Sequence, residues 1–294
     1  MTTKEQIWKK VYDLDFNKLE SDFKKLREIG CNANDKGLSR VGNEVVNYFT
    51  SLERLDTIGN KGISFFDFYE NRLDYSRRKY IKNILKYYNT NNRTTSIKQW
   101  KRIFDLYFGS IAIFRPIVAM GVYCYFSPKC VLDPTMGWGG RLVGACALDV
   151  PKYIGIDLNR NLMKPYDEMS KFLSKHSSTK IELFFGDCIT FDYSKIEYDM
   201  VFTSPPYYNV EQYNFQEKKT KEEWNETFYK PFVRETFKHL KKGGHYCLNV
   251  PEEIYTIVTE ILGDADFLIP FPKSQRGDPN TEKKYKEFIY TWKK

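Results

Sequence analysis

The chain has 294 residues, of which 41% are hydrophobic and 17% aromatic, so it can bury a large core and does not have the composition of a disordered protein. Its formal net charge of +8 suits a polyanionic partner, although the total alone identifies none. No apolar run reaches the ~20 residues that a bilayer-spanning helix needs, and no signal peptide is visible, which predicts an intracellular, cytoplasmic protein without membrane contact.

Residues 1–108 are predicted to form a helical region. Apolar side chains recur at helical spacing over residues 16–29, 38–55 and 64–88. Ser96 is a suitable N-cap for one more helix, which ends near residue 108. The remaining residues follow a different pattern, so the domain boundary is expected between residues 108 and 109.

A basic run lies inside this helical region. Between residues 75 and 102 the chain has nine basic residues and no acidic one, with tyrosines and a tryptophan interleaved. A solvated helix face would explain the run equally simply, but the absence of acidic residues favours a surface that contacts nucleic-acid phosphates. The candidates are Arg77, Arg78, Lys79, Lys82, Lys86, Arg93, Lys98, Lys101 and Arg102, with Lys273 and Arg276 from a later loop.

From about residue 111 strands and helices alternate. Seven strands are predicted at residues 129–132, 153–156, 181–185, 199–203, 245–250, 267–270 and 287–292. Alternating units of this kind predict an α/β protein with a Rossmann-like, doubly wound and mostly parallel sheet. Ligands on such sheets bind at the carboxyl ends of the strands.

A glycine-rich segment, D-P-T-M-G-W-G-G-R at residues 133–141, follows the first strand and precedes a helix. Glycines let the backbone approach a ligand closely, and a helix N-terminus attracts a carboxylate or phosphate. The spacing differs from the G-x-G-x-x-G of dinucleotide-binding proteins, and the leading Asp133 would suit a ligand that carries an ammonium group. A plain strand–helix turn is the alternative. The candidate ligand contacts are Asp133, Pro134, Met136, Gly137 and Gly139.

Acidic residues end the second and third strands. Asp157, with Leu158 beside it, could accept hydrogen bonds from both hydroxyl groups of a ribose. Asp187, followed by Cys188, could accept one from an adenine amino group. A role as a helix cap or turn residue fits both aspartates equally well.

The fourth strand ends in Ser204-Pro205-Pro206-Tyr207, followed by Tyr208. The two prolines fix the backbone and have no N–H, so the nearby carbonyl groups are available as acceptors. A rigid acceptor followed by an aromatic ring is what a flipped base with an amino edge requires. A rigid proline turn without such a role is the alternative.

Together, D-P-x-x-G-x-G-G and S-P-P-Y resemble the S-adenosylmethionine-dependent amino-methyltransferases that form N4-methylcytosine or N6-methyladenine. The resemblance covers residues 114–294, nearly two thirds of the chain. It implies S-adenosyl-L-methionine as the cofactor, with Arg115 in the segment that holds its methionine end. The motif order is not circularly permuted. No separate target-recognition domain follows Tyr207, which leaves the helical region as the candidate for that role.

The resemblance implies methylation of a flipped base, with Ser204 and the Pro205 carbonyl holding the amino group, Tyr207 stacking on the base and Tyr208 contacting the nucleic acid. Serine at the first motif position favours cytosine N4 over adenine N6, and DNA is favoured over RNA. An RNA adenine N6-methyltransferase and a non-catalytic nucleic-acid-binding subunit stay open. The glycine spacing disfavours an NAD-dependent oxidoreductase.

The cysteines show no CxxC pair and no spacing typical of a disulfide framework. The three histidines do not cluster with them, so no metal site is expected. Free thiols in a reducing compartment are the expectation. The six positions are Cys31, Cys124, Cys130, Cys146, Cys188 and Cys247.

Overall fold

The computed structural model describes residues 3–59, 61–89, 95–209, 219–272 and 287–294. Its seven strands are β1 (Cys130–Asp133), β2 (Lys152–Asp157), β3 (Lys180–Phe185), β4 (Met200–Thr203), β5 (His245–Val250), β6 (Phe267–Pro270) and β7 (Phe288–Lys293). They form one sheet in the order β3-β2-β1-β4-β5-β7-β6. Strand β7 runs antiparallel to the other six strands. The predicted α/β class with a Rossmann-like sheet is confirmed.

The helices flank this sheet and fill the N-terminal region. They are α1 (Lys4–Val11), α2 (Phe16–Ile29), α3 (Asn43–Asp56), α4 (Phe65–Glu70), α5 (Arg72–Tyr75), α6 (Lys79–Asn89), α7 (Ile97–Tyr107), α8 (Pro116–Phe126), α9 (Gly140–Ala147), α10 (Met163–His176), α11 (Lys221–Trp224), α12 (Lys230–His239) and α13 (Glu252–Leu262). A π-helical turn, Asn225–Tyr229, joins α11 to α12, and 3-10 turns cover Gly30–Lys36, Arg160–Leu162 and Tyr193–Lys195. Each described helix falls short of the length and apolar character needed to cross a bilayer.

Two predicted helices of the N-terminal region have different bounds in the structure. The helix expected from residue 38 begins at Asn43, because Gly42 adopts a left-handed conformation and Asp22 accepts its N–H at 2.9 Å. The single helix expected over residues 64–88 is divided into α4, α5 and α6. Asn71 and Ser76 there donate side-chain hydrogen bonds back to preceding carbonyl groups, which ends a helix locally.

Helix α8 was not predicted, because it is apolar on all sides and therefore shows no helical periodicity. It packs very closely against α9 through two glycines. A Cβ atom on Gly140 would lie 1.7 Å from the Phe114 carbonyl oxygen, and one on Gly144 would lie 2.7 Å from the Pro116 carbonyl oxygen. Close contact with the start of α8 and the segment just before it, rather than approach to a ligand, therefore requires glycine at these two positions.

The N-terminal helices contribute to two hydrophobic cores. Leu19 and Val45, on α2 and α3, share one core with Val131 and Met200 of the sheet. Helices α1, α4, α6 and α7 form a second core with the end of α3. Helices α2 and α3 therefore pack on the helices that cover one face of the sheet, and the boundary at residues 108 and 109 stays a prediction.

A disulfide bond joins Cys31 to Cys124, 93 residues apart, and links the turn after α2 to α8. The expectation of free thiols was therefore wrong for these two residues, because the fold brings together cysteines that are far apart in sequence. The other four cysteines are free. Since disulfides persist mainly in oxidising compartments, cysteine usage no longer supports the expected reducing compartment.

Candidate active site

The two principal motifs meet at the carboxyl ends of β1 and β4. The hydroxyl oxygens of Thr135 and Thr203 lie 2.6 Å apart, and Thr203 also donates to Asp133 Oδ1 at 2.7 Å. Strands β1 and β4 are neighbours in the centre of the sheet, where the strand order changes direction. Ligand sites in α/β sheets form at such a point. Neither threonine was singled out from the sequence.

Asp133 is completely buried, and protein groups surround its carboxylate. It accepts two hydrogen bonds from Arg141, at 2.7 and 3.0 Å, and one from the Tyr153 hydroxyl at 2.6 Å, in addition to that from Thr203. Arg141 also donates to the Thr135 carbonyl at 2.6 Å. Asp133 therefore fixes the loop and has no open face for a ligand ammonium, in contrast to the expectation from the sequence.

The loop itself is shaped by Gly137 and Gly139, which have φ values of 56° and 92°. Tyr166 donates its hydroxyl hydrogen toward the carbonyl groups of Met136 and Gly137, at 3.2 and 3.0 Å. The Met136 side chain is buried in the core beside Gly155, and Pro134 is also buried. The partly exposed positions of the loop are Thr135 and Gly137, so only the backbone near them can face a ligand.

Asp157 is half-buried next to the loop. Its carboxylate accepts the Gly137 N–H and the Asn159 N–H, both at 2.8 Å. Burial, with a smaller contribution from the nearby charge of Asp133, raises the pKa of Asp157 to about 6. Leu158, the next residue, remains 46% exposed and offers an apolar surface beside the carboxylate.

The turn after β3 contains Asp187 and Cys188, which differ in accessibility. Asp187 is exposed, and its carboxylate accepts the Ile189 N–H at 2.9 Å, as in an Asx-turn. Cys188 is buried, and burial strongly raises the pKa of its thiol. Asp187 is therefore accessible to a ligand, whereas Cys188 can contribute mainly through its backbone.

The tetrapeptide after β4 is anchored by Asn249 at the end of β5. The Tyr207 hydroxyl lies 2.9 Å from Ser204 Oγ and contacts the Asn249 carbonyl and side-chain oxygens at 2.9 and 3.0 Å. Asn249 in turn donates to Glu287 Oε1 at 3.0 Å. Sequence reasoning missed Asn249, although a polar residue near the carboxyl end of an otherwise apolar strand is a signal for it.

The two prolines of the motif have different surroundings. The Pro206 carbonyl accepts the Tyr229 hydroxyl at 2.6 Å. Pro205 is buried, and no described group donates a hydrogen bond to its carbonyl oxygen. Because buried carbonyl groups are nearly always paired, this oxygen is suited to accept a hydrogen bond from a ligand.

Tyr208 is held by the π-helical turn between α11 and α12. Its N–H donates to the Tyr229 hydroxyl at 3.1 Å, its own hydroxyl contacts Asn225 Oδ1 at 3.2 Å, and its ring packs edge-on against Tyr229. Tyr208 also has a positive φ of 50°. Turns of the π type occur frequently at functional sites. The Tyr208 side chain is half-buried. Its contact with nucleic acid stays a prediction.

Arg115 lies at the start of α8, next to the segment that follows β6. It donates to the Pro272 carbonyl, and its guanidinium lies 5.9 Å from the Phe271 ring centroid. Burial and the positive charge of Arg40 lower the pKa of Arg115. Its contact with a cofactor stays a prediction. Lys273 and Arg276 lie outside the described residues.

Several members of the basic run already have partners. Lys101 pairs with Asp105 at 2.5 Å and lies over the Phe104 ring, so packing and pairing explain it without nucleic acid. Arg77 pairs with Asp74 at 3.5 Å, and Arg78 packs over the Tyr75 ring. These acidic partners lie just outside residues 75–102, which is why the run seemed free of acidic residues. Arg93 lies outside the described residues.

The other basic residues of the run are exposed and form no ion pair with any described residue. They are Lys79, Lys82 and Lys86 on α6, and Lys98 and Arg102 on α7. The three lysines of α6 lie on one helix face, with Tyr80 and Tyr87 exposed beside them. This face combines cationic and aromatic groups, as nucleic-acid-binding surfaces do.

No protein-family model and no curated protein matches the chain. Among solved structures, similar folds include TrmN from Thermus thermophilus, with 18% identity, 61% of this chain and 48% of that chain covered, and a TM-score of 0.41. SMU.1697c from Streptococcus mutans, solved in complex with SAH, has 15% identity, coverages of 62% and 99%, and a TM-score of 0.41. An rRNA methylase from Streptococcus thermophilus has 16% identity, coverages of 63% and 99%, and a TM-score of 0.38. The match spans about half the length of TrmN.

Proposed function

We propose that the chain transfers a methyl group from S-adenosyl-L-methionine to an exocyclic amino group of a nucleobase. The observation that carries the proposal is the 2.6 Å contact between Thr135 and Thr203. It joins a glycine-rich loop suited to the cofactor to a tetrapeptide suited to an amino group. A methyl donor and its acceptor must lie side by side in this way, because proximity supplies much of the rate.

The residues around the amino group would supply hydrogen-bond acceptors. The amino group of cytosine or adenine is a poor nucleophile, because its lone pair is delocalised into the ring. Acceptors at the Pro205 carbonyl, which has no donor among the described residues, and at Ser204 Oγ would draw the group toward tetrahedral geometry and localise the lone pair. The proton becomes acidic once the nitrogen is methylated, so no strong general base is required.

Tyr207 would hold the plane of the base. Its hydroxyl is fixed by Ser204 and Asn249, so its ring has a defined orientation. Stacking of a base on such a ring contributes about 1–3 kcal/mol. A base within a duplex must first be flipped out of the stack to reach the site. Tyr208 and the three α6 lysines are the further candidates for contact with the nucleic acid.

The cofactor, when bound, supplies an electrophilic methyl group on its sulfonium. The residues at the carboxyl ends of β1, β2 and β3 fit its nucleoside, because an acceptor carboxylate and an exposed apolar side chain adjoin each other at Asp157 and Leu158. Asp187 would accept from the adenine amino group. The proposed cofactor contacts are Arg115, Gly137, Gly139, Asp157, Leu158, Asp187 and Cys188, with Asp133, Pro134 and Met136 as residues that position the loop.

Cofactor affinity is expected to fall at acidic pH because of Asp157. Ribose hydroxyl groups donate to the ionised carboxylate, and the pKa of Asp157 is raised to about 6. Binding should therefore strengthen as pH rises from 5 to 7 and become constant above that range, with up to about a tenfold loss per pH unit below the pKa. Isothermal calorimetry across this range measures the effect, and Asp157→Asn should bind weakly at every pH without the slope. A flat profile in the wild type would contradict the ribose role.

Nucleic-acid affinity is expected to depend on the three α6 lysines. Replacing Lys79, Lys82 and Lys86 with alanine should weaken binding and reduce the slope of log affinity against log salt by about 1 for each lysine that binds a phosphate. Fluorescence anisotropy with a labelled oligonucleotide over a salt series measures both quantities. Lys195→Ala with Lys238→Ala is the matched control, because these lysines are exposed but paired with acidic neighbours. An unchanged slope in the triple variant would reject this surface.

The proposed function is tested by the product. The protein is incubated with cofactor carrying a labelled methyl group and with DNA or RNA, and the methylated nucleoside is identified by mass spectrometry. N4-methylcytosine in DNA is the expected product, since Ser204 occupies the first motif position. N6-methyladenine in DNA would reverse the base preference, and label in RNA alone would favour the RNA alternative. Absence of both label and cofactor binding would overturn the proposal.

A further inference from the structure

Arg54, on α3, is buried. The residue is 7% exposed, and it forms no ion pair with any described residue. One terminal nitrogen donates to Asn47 Oδ1 at 2.5 Å, whereas Nε is buried and has no hydrogen-bond partner among the described residues. The guanidinium lies 5.9 Å from the Tyr12 ring centroid. Burial lowers its pKa, against smaller raising contributions from the nearby charges of Tyr12, Asp105 and Glu44.

Such an arrangement is unfavourable without a ligand. A buried cation without an ion-pair partner carries a large desolvation cost, and an unpaired buried N–H adds to it. Proteins normally remove this cost with a carboxylate or another anion. The Arg54 guanidinium would therefore be stabilised by an anion that is not part of the described chain.

The position of Arg54 points to the glycine-rich loop. Thr50 lies one helical turn earlier on the same side of α3. Its hydroxyl group donates to the Trp138 carbonyl oxygen of that loop at 3.3 Å. Glu53, the preceding residue, accepts hydrogen bonds from Asn159 and Asn161, which follow Asp157. This part of α3 therefore covers the loops after β1 and β2, where the proposed cofactor site lies.

We propose, on the basis of the proposed function, that Arg54 binds the carboxylate at the methionine end of the cofactor. A small carboxylate suits a guanidinium that is 7% exposed, whereas a nucleic-acid phosphate within its backbone needs a more open surface. The proposal places a specificity-determining residue in the N-terminal helical region. Arg115, which the resemblance assigns to this end, instead has its described contacts beside β6, at Phe271 and Pro272.

The experiment compares S-adenosylmethionine with its decarboxylated analogue by calorimetry. The wild type should bind S-adenosylmethionine about ten- to hundredfold more tightly, which is the effect expected of charge-assisted hydrogen bonds. Arg54→Met should lose this difference by binding S-adenosylmethionine more weakly, with unchanged affinity for the analogue. Arg54→Lys keeps the charge but lacks the planar set of donors, so an intermediate loss is expected. Denaturation curves of each variant verify folding.

Arg234→Met is the matched control, because Arg234 is exposed on α12, and it should retain the discrimination. Arg115→Met tests the other candidate for this end of the cofactor. Equal wild-type affinity for the two ligands would overturn the Arg54 proposal without any variant and leave the proposed function intact. The Arg54 proposal would also be overturned if Arg115→Met lost the discrimination and the Arg54 variants kept it. It would likewise be overturned if Arg54→Met lost only its binding to an oligonucleotide. Failure of the wild type to bind either ligand would instead overturn the proposed function, and this inference with it.

Discussion

Replacing Tyr207 with alanine is expected to reduce methyl transfer by about a hundredfold or more while cofactor affinity stays unchanged. Removal of the stacked ring alone corresponds to about 1–3 kcal/mol, or roughly five- to 150-fold. The substitution also removes the hydroxyl that contacts Ser204 Oγ at 2.9 Å and the Asn249 carbonyl at 2.9 Å. The acceptors of the amino group then lose their fixed position, and a small misplacement of reacting groups adds a further large factor.

Two further variants separate these contributions. Tyr207→Phe keeps the ring and removes the anchoring hydroxyl, so it should lose less activity than the alanine variant. Ser204→Ala removes one acceptor of the amino group and should also greatly reduce transfer. Single-turnover rates with saturating labelled cofactor measure the chemical step, and calorimetry measures cofactor affinity. Full activity in both Tyr207→Ala and Ser204→Ala would refute the assignment of the tetrapeptide.

Gly140→Ala is expected to destabilise the protein by about 3 kcal/mol, in the upper part of the range for overpacked sites. A Cβ atom at this position would lie 1.7 Å from the Phe114 carbonyl oxygen and 2.9 Å from the carbonyl carbon. Both are backbone atoms just before α8, so they cannot rotate away as a flexible side chain would. The methyl group would force α8 and α9 apart. It would also disturb the glycine-rich loop that immediately precedes α9.

Urea denaturation at equilibrium measures this destabilisation as a change in the free energy of unfolding. Gly186→Ala is the matched control, because a Cβ atom there meets nothing within 4 Å and its φ lies outside the left-handed region. The control should therefore be close to neutral. Equal stability of Gly140→Ala and the wild type would show that α8 and α9 can separate without cost.

Local signals in the sequence determined the elements of the sheet and the motifs at their ends. Strands β5 and β6 and helix α2 have the predicted bounds, because glycine turns and periodic apolar residues specify them within a few positions. The order of parallel strands then brought the segments after β1, β2, β3 and β4 to one edge of the sheet. The proposed chemistry of the tetrapeptide and of Asp157 could be derived at this level.

Only the tertiary structure decided which polar groups pair with one another. Asp133 is enclosed by Tyr153 and Thr203, which are 20 and 70 residues away in sequence, and Cys31 bonds to Cys124 across 93 residues. Lys101 has its partner in Asp105, whereas Arg54 is buried with no partner for its Nε among the described residues. Hydrogen bonds, ion pairs and disulfides depend on distances of a few ångströms between segments, and neither periodicity nor composition encodes those distances.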